Sequence, residues 1–373
     1  MTGANTGIGK EVARGLVREG AKVVLACRDA DKAAAAAAEL AAMPGADEVE
    51  TAVLDVASPA SVRAFAKSFR SSGRELLLLV NNAGIMGQLP ELSMPFAKNT
   101  FPYHFDAEAY ERMREYDPAL CTNYLGPFLL TYELLLSPGA AEYCHPRARV
   151  VNVASDAHYR GEVRFEGGRL VTTQQWSGQL GKFKDDWYAA YARSKLCQML
   201  STVVFNQKMV EAGRSCCALA VSPGRTRTEL MRHVDDHRSG ILGALAPFAK
   251  SFQPVEKGAE TVVWACVGAE LCADGPEMTH YLENMDEGWA AEEAGDLEVG
   301  QKLWDWSCKL MGINFEFAAT ESGDAGLRDP RTGLFFDPSA PRGEAAAAEY
   351  VPIDWAAMND DSQEDGVIDA SVR

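Results

Sequence analysis

Short runs of consecutive apolar residues alternate along this chain with stretches in which apolar positions recur every three or four residues. The runs suit strands buried on both faces and the stretches suit covering helices, which together predict an α/β fold on a doubly wound parallel sheet. The pattern predicts a helix over Gly7–Glu19, a strand over Ala21–Cys27, and a helix over Asp31–Ala42, where six consecutive alanines give strong helix propensity. A strand over Glu48–Val56, a helix over Pro59–Ser71 and a strand over Glu75–Val80 follow. Two further strands, Arg147–Ser155 and Cys216–Val221, are separated by a long helix over about 186–211, and Met278–Leu282 reads as an edge strand.

Two stretches break this rhythm. Gln88–Phe105 is rich in Pro, Phe and polar residues, and Gly161–Lys184 has no clear period. Both are expected as surface insertions beside strand ends, either plain loops or walls of a ligand pocket. Beyond about residue 317 the pattern gives way to Gly, Pro and acidic residues, so the expectation is a single domain over 1–317 and an acidic, disordered tail over 318–373.

Composition narrows the function classes. The 373 residues carry a net charge of −17, and the stretch from Gly323 onward holds eleven acidic against four basic residues. Such a surface repels nucleic acid and anionic lipid. A hydrophobic content of 47% is enough for a sizeable core. Nine cysteines without a CxxC pair, mostly in apolar runs, are expected as buried thiols in a reducing compartment, not as a disulfide framework. No apolar stretch reaches the ~20 residues of a membrane span, no targeting segment precedes the first loop, and the expected location is cytoplasmic.

Residues 2 to 10, Thr-Gly-Ala-Asn-Thr-Gly-Ile-Gly-Lys, form a glycine-rich loop that opens a helix. Glycines in such a loop let the backbone turn sharply and approach a diphosphate, whose charge is then held by amides at the helix N-terminus. Only Met1 stands before it, so the sheet reads as lacking the first, central strand that would feed the loop. Tyr191 and Lys195 lie four apart on a predicted helix, which places both side chains on one face. A neighbouring ammonium favours the phenolate and is expected to lower the phenol's pKa toward neutrality. Ser155 ends an apolar strand at the ligand-presenting edge, where its hydroxyl could meet a substrate oxygen; Asn123 interrupts an apolar helix, where a buried amide needs partners.

Gly3-x3-Gly7-x-Gly9, Asp55-Val56, Asn81-Asn82-Ala83-Gly84, Asn123, Ser155, Tyr191-x3-Lys195 and Pro223-Gly224 occur in the order found in the short-chain dehydrogenases/reductases. Over about residues 2 to 312 the chain resembles that family, and within it the retinol dehydrogenase group and the dehydrogenase domain of the WW-domain-containing oxidoreductase. The resemblance implies a Rossmann-type fold and an oxidoreductase. Tyr191 would be the general acid/base, Lys195 would lower its pKa and bind the nicotinamide ribose, Ser155 would polarise the reacting oxygen, and Asn123 would hold a relay water.

The same resemblance implies that Gly3, Asn5, Thr6, Gly7, Ile8 and Gly9 cradle the cofactor's diphosphate. Asp55 and Val56 would flank the adenine, Asn82, Ala83 and Gly84 would line the adenosine ribose side, and Pro223, Gly224, Thr226 and Thr228 would cover the nicotinamide. Arg28 follows the second predicted strand where an NAD enzyme would carry an acidic residue, and a guanidinium there suits the 2′-phosphate of NADP(H). The apolar segment Gly240–Phe252 lies where family members place a substrate lid, which points to a lipophilic alcohol or carbonyl of retinoid, steroid or fatty-aldehyde type. His233 and His237 have i, i+4 spacing but no third ligand, so no metal site is expected. Thr226 replaces the apolar residue common after Pro-Gly, and 35 residues separate Ser155 from Tyr191.

Two other readings of the same residues remain. One is a truncated or degenerate relative that acts as an interaction protein; the other is an enzyme like the light-dependent protochlorophyllide reductases, which share the Tyr-x2-Ser-Lys pattern. A homodimer stays open, and nothing in the chain indicates membrane association.

Overall fold

Why the apolar runs become strands is clear from where alternate residues go. Along β4 (Cys144–Val153), Val150 enters one core and Val151 the other. Along β3 (Leu76–Asn81), Leu79 and Val80 part in the same way, as do Ala218 and Leu219 on β7 (Cys217–Ser222). A strand with two buried faces shows no polar alternation, which is why these segments read as continuous apolar runs.

The computed structural model describes residues 1–86, 116–171, 187–226, 253–269, 271–272, 281–288 and 290–313. All belong to one compact unit, Met1–Phe317. The tail expected over 318–373, the Gln88–Phe105 stretch, the Gly240–Phe252 segment, His233, His237 and Thr228 lie outside the described residues, as does most of Gly161–Lys184 beyond residue 171.

Strands β3, β4, β7 and β8 (Tyr281–Glu283) pair in parallel, and β9 (Asp286–Glu287) closes the edge as an antiparallel hairpin with β8. β1 (Val23–Cys27) and β2 (Val49–Val53) form a second parallel pair. Met1–Gly3 bridge the two: Thr2 N–H donates to Val80 O on β3 at 2.9 Å, and Gly3 N–H donates to Ala26 O on β1 at 3.0 Å. Three residues therefore stand where the feeding strand of a doubly wound sheet runs, and Thr2 alone makes a strand-type pairing there, with Ala26.

Helices α1 (Gly7–Arg18), α2 (Ala30–Ala41) and α6 (Val255–Val267) build one core with Leu25, Val151 and Leu219. The α1 and α6 backbones approach closely: a Cβ on Gly15 would lie 2.6 Å from Val263 Cγ2. The opposite core holds α3 (Pro59–Ser71), α4 (118–136), α5 (Trp187–Glu211) and α7 (Leu297–Met311). A short hairpin, β5 (Phe165–Glu166) and β6 (Arg169–Leu170), follows β4. Among the described residues no helix is long and apolar enough to cross a membrane.

One expectation about the cysteines is corrected. Cys217, the first residue of β7, is bonded to Cys272, 55 positions on, with the Cα atoms 6.6 Å apart. The segment after α6 returns beside the start of β7 and brings the two sulfurs together, a juxtaposition that spacing along the chain does not reveal. The other seven cysteines are free, six of them buried.

Candidate active site

The carboxyl ends of β1, β3, β4 and β7 gather the predicted residues, at the edge where open α/β sheets receive ligands. Gly3 and Gly7 take φ values of +62° and +55°, backbone that favours glycine. A Cβ on Gly9 would stand 2.3 Å from Gly3 O and 2.4 Å from Asn82 Nδ2, so the helix start is packed directly on the loop. Thr6 caps α1 without a side-chain hydrogen bond, and the first turn holds no acidic residue. The amides of Gly7, Ile8 and Gly9 are thus left for an anion at the positive end of the helix. Beneath the loop lies the buried Cys27 thiol, raised above its ordinary pKa by burial, a rise that the nearby Ala4, Asn5 and Gly3 amides partly offset.

Strand alternation divides the work of the two adjacent asparagines. Asn82 Nδ2 donates to Thr2 O and Gly3 O, both at 3.0 Å, while the Asn82 and Ala83 N–H groups donate to Thr2 Oγ1. Asn82 thus fastens the loop to β3, a use of its amide that the family resemblance does not imply. Asn81 points the other way, donating to Asn152 Oδ1 at 2.9 Å and Thr131 Oγ1 at 3.2 Å, and Asn152 donates to Thr202 Oγ1 at 3.0 Å. This buried polar chain ties β3, β4, α4 and α5 together under the site.

Asp55 closes the end of β2, its Oδ1 accepting the Ala57 N–H at 3.0 Å. Val56 is buried in the core, with α4 so near that a Cβ on Gly126 would lie 1.9 Å from Val56 O. Arg28 is exposed after β1 and makes no hydrogen bond or ion pair with a described residue.

Asn123 is fully buried where α4 widens into a π-helical turn, Cys121–Leu125. Such turns insert one residue and often sit at functional positions. Its amide donates to Ile85 O at 3.0 Å and Ser194 Oγ at 2.9 Å, and its Oδ1 accepts the Ile85 N–H at 2.8 Å. The side chain therefore clamps α4 to the end of the Asn-Asn-Ala-Gly loop, where Gly84 leaves it room. Ser194 donates onward to Tyr191 O at 2.6 Å. A buried ion pair, Arg193 with Asp117 at 2.6 Å, anchors α5 to the start of α4, where Asp117 also caps the Leu120 N–H.

Tyr191 and Lys195 lie on one face of α5, both buried, with Lys195 Nζ 5.5 Å from the phenol ring centre. Two of the ammonium protons are engaged, by Val153 O at 2.7 Å and Gln198 Oε1 at 3.0 Å. Burial pulls the Lys195 ammonium down to about 7 and pushes the Tyr191 phenol up to about 12, with the nearby Ser155 hydroxyl offsetting part of the rise and the Asp156 charge adding to it. The expected lowering of the phenol by its neighbouring ammonium is thus reversed, because desolvation outweighs a cation whose protons face Val153 and Gln198.

Ser155 follows β4 and begins a short 3₁₀ turn, Asp156–Arg160. Its Oγ donates to Asp156 Oδ1 at 3.1 Å and accepts the Ala157 N–H at 3.2 Å. His158, fully buried, bonds Ser155 O through Nδ1 at 2.7 Å while its Nε2 accepts the Ala291 N–H at 3.1 Å. Nε2 must be unprotonated to accept, so Nδ1 carries the proton, and burial keeps the ring below its ordinary pKa.

Across the cleft, Pro223 and Gly224 form an arm after β7. Gly224 has φ +69°, and a Cβ there would lie 2.7 Å from Gln253 Nε2. Thr226 turns its hydroxyl inward to Pro223 O at 3.0 Å, into space that Gly258 leaves open, which explains a polar residue at this position. Asn152, His158, Gln198 and the Arg193–Asp117 pair carry no spacing motif. Asn81 alone had a sequence signal, as the first of the paired asparagines.

A family model described as short chain dehydrogenase matches residues 1–166. Over 320 residues the chain is 34% identical to retinol dehydrogenase 12 of Bos taurus, covering 85% of this chain and 86% of that one. The chain belongs to the short-chain dehydrogenase family.

This short-chain dehydrogenase is an oxidoreductase. It is also 32% identical over 316 residues to retinol dehydrogenase 11 of Mus musculus, covering 84% and 85% of the two chains. Among solved structures it is similar to an uncharacterised protein from Mycobacterium paratuberculosis, with TM-score 0.56 and 26% identity over 85% of this chain and 93% of that one. An actinorhodin polyketide ketoreductase with NADPH, at TM-score 0.52 and 22% identity over 79% and 95%, shares the fold. Among the described residues no group of His, Cys, Asp and Glu could hold a metal.

Proposed function

We propose that this short-chain dehydrogenase is an NADP(H)-dependent oxidoreductase of lipophilic alcohols and carbonyls, of retinoid, steroid or fatty-aldehyde type. The observation that carries the reading is the arrangement of the buried Tyr191 and Lys195 and the half-buried Ser155 at the same sheet edge as the uncapped, acid-free start of α1. The residues fit a dinucleotide phosphate. Free amides at Gly7–Gly9 suit its diphosphate, and Arg28, exposed and without a partner among the described residues, suits a 2′-phosphate. When bound, the nicotinamide supplies the hydride exchanged with the substrate carbon.

The chain's own residues handle the proton. A phenol held near 12 is protonated at neutral pH and suited to donate to a carbonyl oxygen as the alcohol forms. Lys195, with two protons anchored, has one N–H left for the nicotinamide ribose. Asn123 keeps α4 widened beside Ile85, and Ser155 bears on the same oxygen as Tyr191. The relatives named as retinol dehydrogenases support a lipophilic substrate.

NADPH consumption by the full-length protein, followed with retinal, a steroid ketone and a fatty aldehyde, tests this reading. Turnover with at least one is expected; tight NADPH binding with turnover of none would contradict it. NADPH should bind at least tenfold more tightly than NADH, and Arg28→Ala should abolish the difference. Equal affinities, or a preference that survives Arg28→Ala, would overturn the assignment of Arg28.

A further inference from the structure

The imidazole of His158 is completely buried, and both of its nitrogens are engaged. Ser155 O accepts twice from this one residue, from the His158 backbone N–H at 3.1 Å and from the ring Nδ1–H at 2.7 Å. A carbonyl oxygen has two lone pairs, so His158 alone occupies both and fixes the peptide that follows the serine. On its far side the ring accepts the Ala291 N–H through Nε2 at 3.1 Å, and Ala291 opens the 3₁₀ turn 292–295 that leads into α7. The ring also packs on Tyr159, with centroids 4.2 Å apart, and edge-on against Tyr281 of β8 at 5.0 Å.

The serine turn, β8 and the segment before α7 thus meet on one imidazole. A side chain that only filled this space would not need a polar group at each end, since burying either one without a partner costs free energy. We propose that His158 is a positioning residue for Ser155: its Nδ1–H holds the serine carbonyl, and with it the direction of the hydroxyl, while Nε2 ties the turn to the segment before α7. This rests on the proposed reading that Ser155 bears on the reacting oxygen.

The test separates the two nitrogens in the full-length protein. Asparagine carries a donor about where Nδ1 stands but falls short of Ala291, whereas glutamine reaches Ala291 and removes the donor beside the serine carbonyl. With NADPH and the fastest of the three carbonyl substrates, His158→Asn should stay within about threefold of wild type in kcat. His158→Gln should lose about ten- to a hundredfold, the effect of a misplaced reacting group. NADPH affinity should be unchanged in both, because the ring bonds to Ser155 and Ala291 and not to the loop before α1. Turnover by His158→Gln equal to or above that of His158→Asn would overturn the proposal, since the ring would then serve only the tie to Ala291. In a Ser155→Ala background, His158→Gln should cost less than about twofold, because the group it positions is gone; a loss there as large as in wild type would also overturn it.

A further readout needs neither cofactor nor substrate: ¹⁵N spectra of the histidine-labelled wild-type protein at pH 7.5, with His158 identified by its absence in His158→Asn. A neutral ring protonated on Nδ1 is expected, and a proton on Nε2 would overturn the proposal. Absence of turnover in wild type would count against the functional reading alone, with the spectrum still deciding whether the ring holds the serine carbonyl.

Discussion

Replacing Lys195 by Met should make the folded protein more stable at neutral pH, and the gain should vanish as the pH rises. The ammonium falls from 10.5 in the unfolded chain to about 7 in the buried site, so folding is opposed wherever the unfolded chain holds a proton that the site resists. Below about 7 both states are protonated and the full cost, ~5 kcal/mol, applies; above 10.5 neither is, and the cost is gone. Between pH 7.5 and 9.5 wild type should therefore gain roughly 2 to 3 kcal/mol relative to Lys195→Met, close to one proton's worth per unit. Tyr191 works in the opposite sense: its contribution is complete below 10 and is lost as pH climbs toward 12. It is shared by both proteins and cancels in the difference.

Urea unfolding of wild type and Lys195→Met at pH 7.5, 8.5 and 9.5 measures that difference directly. The methionine leaves Val153 O and Gln198 Oε1 without their ammonium donor, which shifts the whole curve but adds no slope. A stability difference that stays flat between pH 7.5 and 9.5 would refute the claim that Lys195 is desolvated.

Two further outcomes follow from packing and from the disulfide. Gly126→Ala, whose Cβ would lie 1.9 Å from Val56 O, should cost ~3 kcal/mol or more in thermal unfolding, whereas Gly295→Ala, with nothing within 4 Å, should stay within about 0.5 kcal/mol. Cys272→Ser should be about 3 kcal/mol less stable than wild type without reductant, and the two should converge in excess dithiothreitol; a gap that persists under reduction would mean that the bond itself contributes little.

Several elements were legible in the sequence almost to the residue: Pro59–Ser71, with its one buried stripe, matches its helix, and β1, β3, β7 and α5 differ from expectation by one or two positions. The strand expected over Glu48–Val56 ends at Val53; Leu54 N–H makes the last bond to β1, to Cys27 O at 3.0 Å, before Val56 enters the core beside α4. The edge strand expected over Met278–Leu282 overlaps β8, Tyr281–Glu283, within the described residues, but its return as β9 gave no signal: the turn residues Asn284 and Met285 have φ of +52° and +62°, where a glycine would have announced the turn. Of the site, the residues with spacing motifs converge as expected. Asn152, which holds Asn81, comes from a separate segment and acquires meaning only once β3 and β4 meet; His158 and Gln198 lie three residues from Ser155 and Lys195 but belong to no motif, so local sequence does not mark them. The lowering of the Tyr191 phenol expected from its neighbouring ammonium is reversed because burial belongs to the fold and not to the four-residue spacing.

The central claim, that Tyr191 handles the proton in hydride exchange with a lipophilic carbonyl, is tested most directly by single-turnover oxidation of bound NADPH with retinal, comparing wild type with Tyr191→Phe. The account predicts unchanged NADPH affinity and a rate lower by about 10²- to 10⁴-fold, the contribution expected of a general acid. A Tyr191→Phe protein that transfers hydride within tenfold of wild type would contradict it.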